Sequence, residues 1–230
     1  MHNTKHHNIL SIDCSLQHNV IAILYNNILY YKIDQCHKNH EKNILTTLNS
    51  LLTINHITIK NFKILSFFIG PGSFTGIRLS ASIAQGLSIP HNINLIGIST
   101  LKILAEQAWR LYQIKKVIVC NIANKTKLYW VQYKKNEKHD WIGKELLLTI
   151  HQAYEKIYSL QEIWYMVGSG IFYFQNIKNP FLYIKNINTS YAQDMIKLTQ
   201  IEDKKSNFLL LENIHLNYLN NPSYIKNKKI

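Results

Sequence analysis

The chain has 230 residues and a mass of 27.0 kDa, with 47% hydrophobic and 17% charged residues; that is enough apolar surface for one large or two small folded domains and excludes disorder over most of its length. No run approaches the roughly 18 to 20 apolar residues of a membrane-spanning helix. The start Met1-His2-Asn3-Thr4-Lys5-His6-His7 lacks the apolar core of a secretory signal, so a soluble cytoplasmic protein with no membrane partner is expected. Lys and Arg number 26 against 13 Asp and Glu, a net +13 that would attract a polyanion such as RNA. Arg78 and Arg110 are the only arginines. The scattered lysines, with an excess of Ile, Asn and Tyr, look like drift towards AT-rich codons; a surface selected for nucleic acid favours the guanidinium fork. Cys14, Cys36 and Cys120 show no C-x-x-C spacing and read as reduced thiols.

In chain order, Ile9 to Asp13 reads as a strand, and Asn19 to Tyr25 and Ile28 to Ile33 as a hairpin around Asn26-Asn27. Glu41 to Leu52 places Ile44, Leu45, Leu48, Leu51 and Leu52 at helical spacing. Phe62 to Ile69 is a nearly continuous apolar strand that meets the turn Gly70-Pro71-Gly72. A helix over Gly76 to Leu87 follows and Pro90 stops the pattern; Leu95 to Ile98 is a strand and Leu101 to Tyr112 a helix. The order then recurs: strands at Val117 to Ile122 and Leu128 to Tyr133, a third near Asp140 to Gly143, a helix at His151 to Tyr158, and a strand at Ile163 to Val167 before the turn Gly168-Ser169-Gly170. Phe181 to Ile184 reads as a strand and Tyr191 to Gln200 as a helix. Such repetition predicts an α/β protein of two lobes, 1–113 and 114–230, each a mixed sheet flanked by helices in the ribonuclease H-like manner; segment 208–230 receives no element.

Gly70-Pro71-Gly72-Ser73-Phe74-Thr75-Gly76-Ile77-Arg78 is the most specific segment. Its amides, with the Ser73 and Thr75 hydroxyls at a helix N-terminus, could cradle a phosphate. The simpler reading is that Ser73 or Thr75 caps the helix while Gly72 and its neighbours allow tight packing. No G-K-[ST] follows as in a P-loop, and Phe74 occupies the place of a nucleophile-elbow serine. Asp13, at the end of the first strand, is the best acidic candidate for a magnesium-nucleotide; its alternative is a hydrogen bond to the glycine turn. His37 and His40, with the spacing of ligands, sit among other scattered histidines and read as exposed, leaving no metal site.

Ile12-Asp13-Cys14-Ser15, the Gly-Pro-Gly-Ser-Phe-Thr-Gly-Ile-Arg string, Ala84-Gln85-Gly86-Leu87 and Ile98-Ser99-Thr100-Leu101 together resemble the TsaB family. Tyr129-Trp130 and Gly168-Ser169-Gly170 extend the likeness into the second half. The resemblance implies a two-lobed, actin-like fold and a role in making threonylcarbamoyladenosine (t6A) in tRNA, as a non-catalytic partner of TsaD that acts with the ATPase TsaE. It implies no catalytic residue and no intrinsic cofactor, with ATP only at the assembled complex, tRNA engaged through that complex, and a homodimer when TsaD is absent. Where a TsaD-like chain carries H-x-x-x-H, this one places Thr100 and Leu104, which cannot replace two imidazoles. Departures from the family are Cys14 in the first-strand motif, Ile69 before the glycine turn, and Ile122-Ala123-Asn124 for Asp-Ala-Arg.

The resemblance also implies a helical bundle with TsaD built from the helices at 41–52 and 76–87, with Leu48, Leu51, Leu52, Ile77, Ser80, Ala81 and Ala84 as interface candidates and Thr47, Ser50 and Ile83 on their flanks. The competing reading of those stripes is each helix's attachment to its own core. The rival function is an actin-like ATPase or phosphotransferase using Asp13 and the Gly70 to Gly76 loop.

Overall fold

The computed structural model describes residues 7–15, 18–35, 40–187, 192–210, 214–217 and 219. Cys36 and His37 lie outside the described residues, as do the side chains of His18 and His40 and most of the segment beyond 210. The first three strands are β1 (Ile9–Asp13), β2 (His18–Tyr25) and β3 (Ile28–Gln35), with β2 antiparallel to both neighbours. Asn26 and Asn27 have φ of 49° and 64°, the left-handed pair that a tight hairpin turn requires and that asparagine tolerates. Helix α1 (His40–Ile54) leads to β4 (Ile64–Gly70), α2 (Phe74–His91) and β5 (Asn94–Ser99). Strands β1, β4 and β5 run parallel, giving the order β3-β2-β1-β4-β5.

Side-chain alternation assigns the two faces of this sheet. Leu10, Ile12, Leu65 and Phe67 join Ile44, Leu48, Leu52, Ala81 and Ala84 of α1 and α2 in one core. The intervening Ser11 and Ser66 point the other way, where α5 (Ala192–Lys204) packs against β1, β2 and β5. There a buried hydroxyl chain runs from Thr199 to Ser66 at 2.7 Å and on to Ser11 at 2.6 Å. β4 is apolar almost throughout because helices cover it on both faces. Leu209, in the segment left without an element, pairs in antiparallel fashion with Leu95.

Pro90 does not end α2, contrary to the reading of the sequence. It falls in the last turn, where the loss of one amide costs little, and the helix runs on to His91. The stop comes from Asn92, left-handed at φ 49°, whose N–H donates to the Ser88 carbonyl.

The second sheet contains β6 (Lys116–Ile122), β7 (Lys127–Lys135), β8 (Trp141–Ile142), β9 (Leu146–Thr149), β10 (Trp164–Val167) and β11 (Leu182–Ile184), in the order β11-β10-β6-β7-β8, with β9 also on β7. The separate strand β9 was not foreseen. β7 is long enough to pair with β8 through Lys134 and Lys135 and with β9 through residues 127–130. Helix α4 (Ile150–Tyr158), capped by Thr149 and Gln152 in a reciprocal box, covers a core of Ile118, Trp130, Met166 and Phe174. Counted from its own first strand, the first sheet has the order third, second, first, fourth, fifth, and the second has third, second, first, fifth, sixth with its fourth, β9, added on the second; in both, the second strand is antiparallel to the first and the last two are parallel to it. This is the ribonuclease H-like arrangement, two mixed sheets flanked by helices.

The compact units are residues 1–100 with 190–216, and 101–189 with 217–230, and so differ from a division at 113/114. Beyond its first residue, α3 (Thr100–Tyr112) groups with the second unit, because buried Glu106 accepts from the Lys135 ammonium and, at 2.7 Å, from Trp141 Nε1. Helix α5 returns to the first unit because its buried residues cover that sheet. No described helix is long and apolar enough to cross a membrane.

Candidate functional site

The glycine turn and the end of β1 are brought together in the first unit. Ser73 caps α2, accepting from the Gly76 amide, and its own N–H donates to the Ser15 carbonyl at 3.0 Å. A Cβ at Gly76 would stand 1.8 Å from the Cys14 carbonyl oxygen, and one at Gly72 would stand 2.7 Å from that of Ser15. Both glycines are therefore required by the close approach of this chain's own backbone at Cys14 and Ser15. Ser80 from α2 accepts from the Cys14 amide at 2.9 Å, and Thr100 donates to the Pro71 carbonyl. Leu104, the other position compared with a metal-ligand pair, is buried in the second unit.

Asp13 is completely buried. Its Oδ1 accepts from the Ser15 amide at 2.7 Å and from the Ser15 hydroxyl at 2.5 Å, while Oδ2 has no hydrogen-bond partner among the described residues. Burial pushes the carboxyl up to about 6, and the two Ser15 hydrogen bonds oppose this only in part. Asp13 thus holds the Ser15 segment, and through it the glycine turn, in place. Ser73 and Thr75 are exposed at the start of α2. Among the described residues, no group of three or more His, Cys, Asp or Glu is arranged to hold a metal ion. Cys14 and Cys120 are buried core residues, and burial raises the Cys120 thiol well above its ordinary value.

The helix residues named as interface candidates fall elsewhere. Leu48, Leu52, Ile77, Ser80, Ala81 and Ala84 are buried in the first unit's own core and Leu51 is half-buried. Flanking Thr47 is buried with its hydroxyl on Asp34, and Ile83 is buried too. An amphipathic stripe marks the face a helix turns to its own sheet, and that core holds these residues. The outer side of α2 carries Thr75, Arg78, Ser82, Gly86 and Ile89, all exposed. At Gly86 an added Cβ would meet nothing within 4 Å. A glycine inside a helix costs about 0.5–1 kcal/mol relative to alanine, and nothing in this unit's packing requires one there.

Two mixed sheets of similar strand order, with a glycine turn on the first strand's end, place the chain among two-lobed ribonuclease H-like proteins. The family model for TsaD, tRNA N6-adenosine threonylcarbamoyltransferase, matches residues 32–203. Proteins named tRNA threonylcarbamoyladenosine biosynthesis protein TsaB are 38% identical in Buchnera aphidicola subsp. Acyrthosiphon pisum (93% of this chain, 97% of that protein) and 30% identical in Escherichia coli (70% and 71%). The fold is shared with YeaZ from Pseudomonas aeruginosa at a TM-score of 0.82 and 20% identity, covering 93% of this chain and all of that one. The chain belongs to the TsaB family.

Proposed function

We propose that this chain is the non-catalytic scaffold subunit for threonylcarbamoyl transfer to the adenosine 3′ of the anticodon, in tRNAs that read codons beginning with A, acting with TsaD and TsaE. It would bind the competent conformation of TsaD preferentially and so raise its population. ATP would enter only at the assembled complex, and the chain would pair with itself when TsaD is absent. The observation that carries this reading is Gly86 on the exposed side of α2, with nothing within 4 Å of its missing Cβ. With Ser82 one turn before it, it leaves a shallow strip against which a helix of TsaD can pack closely. The rival ATPase reading needs free amides at the glycine turn, and the Ser73 amide, already given to the Ser15 carbonyl, counts against it.

The test is t6A formation on unmodified tRNA by cognate TsaD, TsaE and the threonylcarbamoyl-adenylate synthase, with and without this chain, alongside gel filtration with TsaD. Multiple turnover should require the chain. Gly86→Leu should leave the fold at least as stable as the wild type while weakening the TsaD complex at least tenfold, roughly the effect of 1.4 kcal/mol. Turnover that does not depend on the chain would reject the reading.

A further inference from the structure

The positive charge is divided unevenly between the two units. Residues 101–189 and 217–230 carry sixteen Lys or Arg against six Asp or Glu, whereas residues 1–100 and 190–216 carry ten against seven. Drift of codons towards AT acts on both units alike. It explains lysine in place of arginine but leaves the segregation of charge unexplained.

Two of these lysines, Lys185 and Lys115, lie beside aromatic rings of the second unit. β11 is the edge strand, and alternation places Tyr165 of β10 and Tyr183 and Lys185 of the β11 segment on one face. The Tyr165 and Tyr183 rings stack with centroids 5.5 Å apart at 30°, and Tyr183 is 49% exposed. Lys185 Nζ lies 5.0 Å from the ring centroid of Tyr112, itself 47% exposed at the end of α3. Exposed Lys115 extends over Trp109. Glu162, in the loop before β10, is matched by two lysines, Lys116 at 2.6 Å and Lys134 at 2.7 Å, which hold its carboxyl below the usual range. Stacked, half-exposed rings interleaved with ammonium groups fit an unpaired nucleic-acid segment, whose bases extend the stack while its phosphates meet the lysines.

We propose that the β10–β11 edge of the second unit binds an unpaired loop of RNA, with Tyr183 and Tyr112 stacking on bases and Lys185 and Lys115 on phosphates. The choice of tRNA as the RNA rests on the function proposed above.

The test uses the full chain and a fluorescently labelled, unmodified anticodon stem-loop transcript, followed by anisotropy from 50 to 200 mM KCl. Binding should weaken steeply with salt. Tyr183→Ala should lower affinity roughly tenfold and Tyr183→Phe leave it within about twofold, since stacking needs the ring and not the hydroxyl. Lys185→Glu should weaken binding by about tenfold or more and flatten the salt slope. Lys125→Glu, at the β6–β7 turn, should change it by less than about threefold if the lysines of the edge carry the contact. No salt-dependent binding, wild-type affinity in both Tyr183→Ala and Lys185→Glu, or an equal loss in Lys125→Glu would each overturn the proposal. If RNA binding fails while t6A formation still requires the chain, only this proposal falls. If edge-dependent binding holds while t6A formation is indifferent to the chain, the RNA surface stands and the scaffold function falls.

Discussion

In both units a glycine turn presses on the end of the first strand, and the polar group placed there is satisfied in one and strained for partners in the other. In the first unit, Asp13 is a buried carboxyl that, among the described residues, is supported through Oδ1 by Ser15 and has no partner at Oδ2. In the second, Asn121 Oδ1 accepts from the Ser169 amide at 3.0 Å, and the Ser169 hydroxyl accepts from the Ile122 amide at 3.0 Å. The second unit does bury a charge, but it pairs it: Glu106 faces both Lys135 and Trp141. One topology therefore brings the same two elements together twice and leaves their chemistry to the local side chains. A neutral amide at the junction makes the second turn indifferent to pH, and an acid makes the first one sensitive to it.

The largest expected effect lies in the turns themselves. Gly76→Ala must displace the Cys14 carbonyl from 1.8 Å, a backbone atom with no freedom to rotate away, and should cost about 3 kcal/mol or abolish folding. Gly170→Ala meets the Cys120 sulfur at 2.4 Å and the Cys120 carbonyl only at 2.9 Å, a milder backbone clash than the 1.8 Å at Gly76, and should cost less, about 1–2 kcal/mol by urea denaturation. An equal loss in the two variants would remove the distinction between the turns.

Next comes the pH response of Asp13. Its carboxyl is raised from 3.8 to about 6 in the folded chain, so its contribution to stability is fully present below pH 3.8 and is lost as pH rises through about 6. A shift of that size corresponds to on the order of 3 kcal/mol. Between pH 4.5 and 7.5 the wild type should show about two-thirds of this loss, roughly 2 kcal/mol in unfolding free energy, and Asp13→Asn should not. A slope that survives the substitution would mean that the buried acid of the first unit is not its source. The smallest effect is a gain: Gly86→Ala should raise stability by about 0.5–1 kcal/mol, because the added methyl meets open space and restricts the unfolded chain.

Much of this protein was legible before any coordinates. The strand at 9–13, the hairpin at Asn26-Asn27 and the apolar run ending at Gly70 announce themselves through local pattern and turn chemistry. The family-specific glycine string also showed which family to expect. Boundaries were less accessible: α2 passes through Pro90 because a missing amide matters little in a last turn, and β9 exists because β7 is long enough to pair twice.

Sequence by itself determined the repeated order of elements, since hydrophobic period and turn residues are local properties. Only the tertiary structure decided that α5 returns to the first sheet, that the side-chain space at Gly72 and Gly76 is taken by the backbone of Ser15 and Cys14 respectively, and that the stripes of α1 and α2 face inward. Those outcomes depend on which distant backbone occupies a given space. Periodicity tells a helix which side to bury, and only packing reveals what remains for a partner on the other.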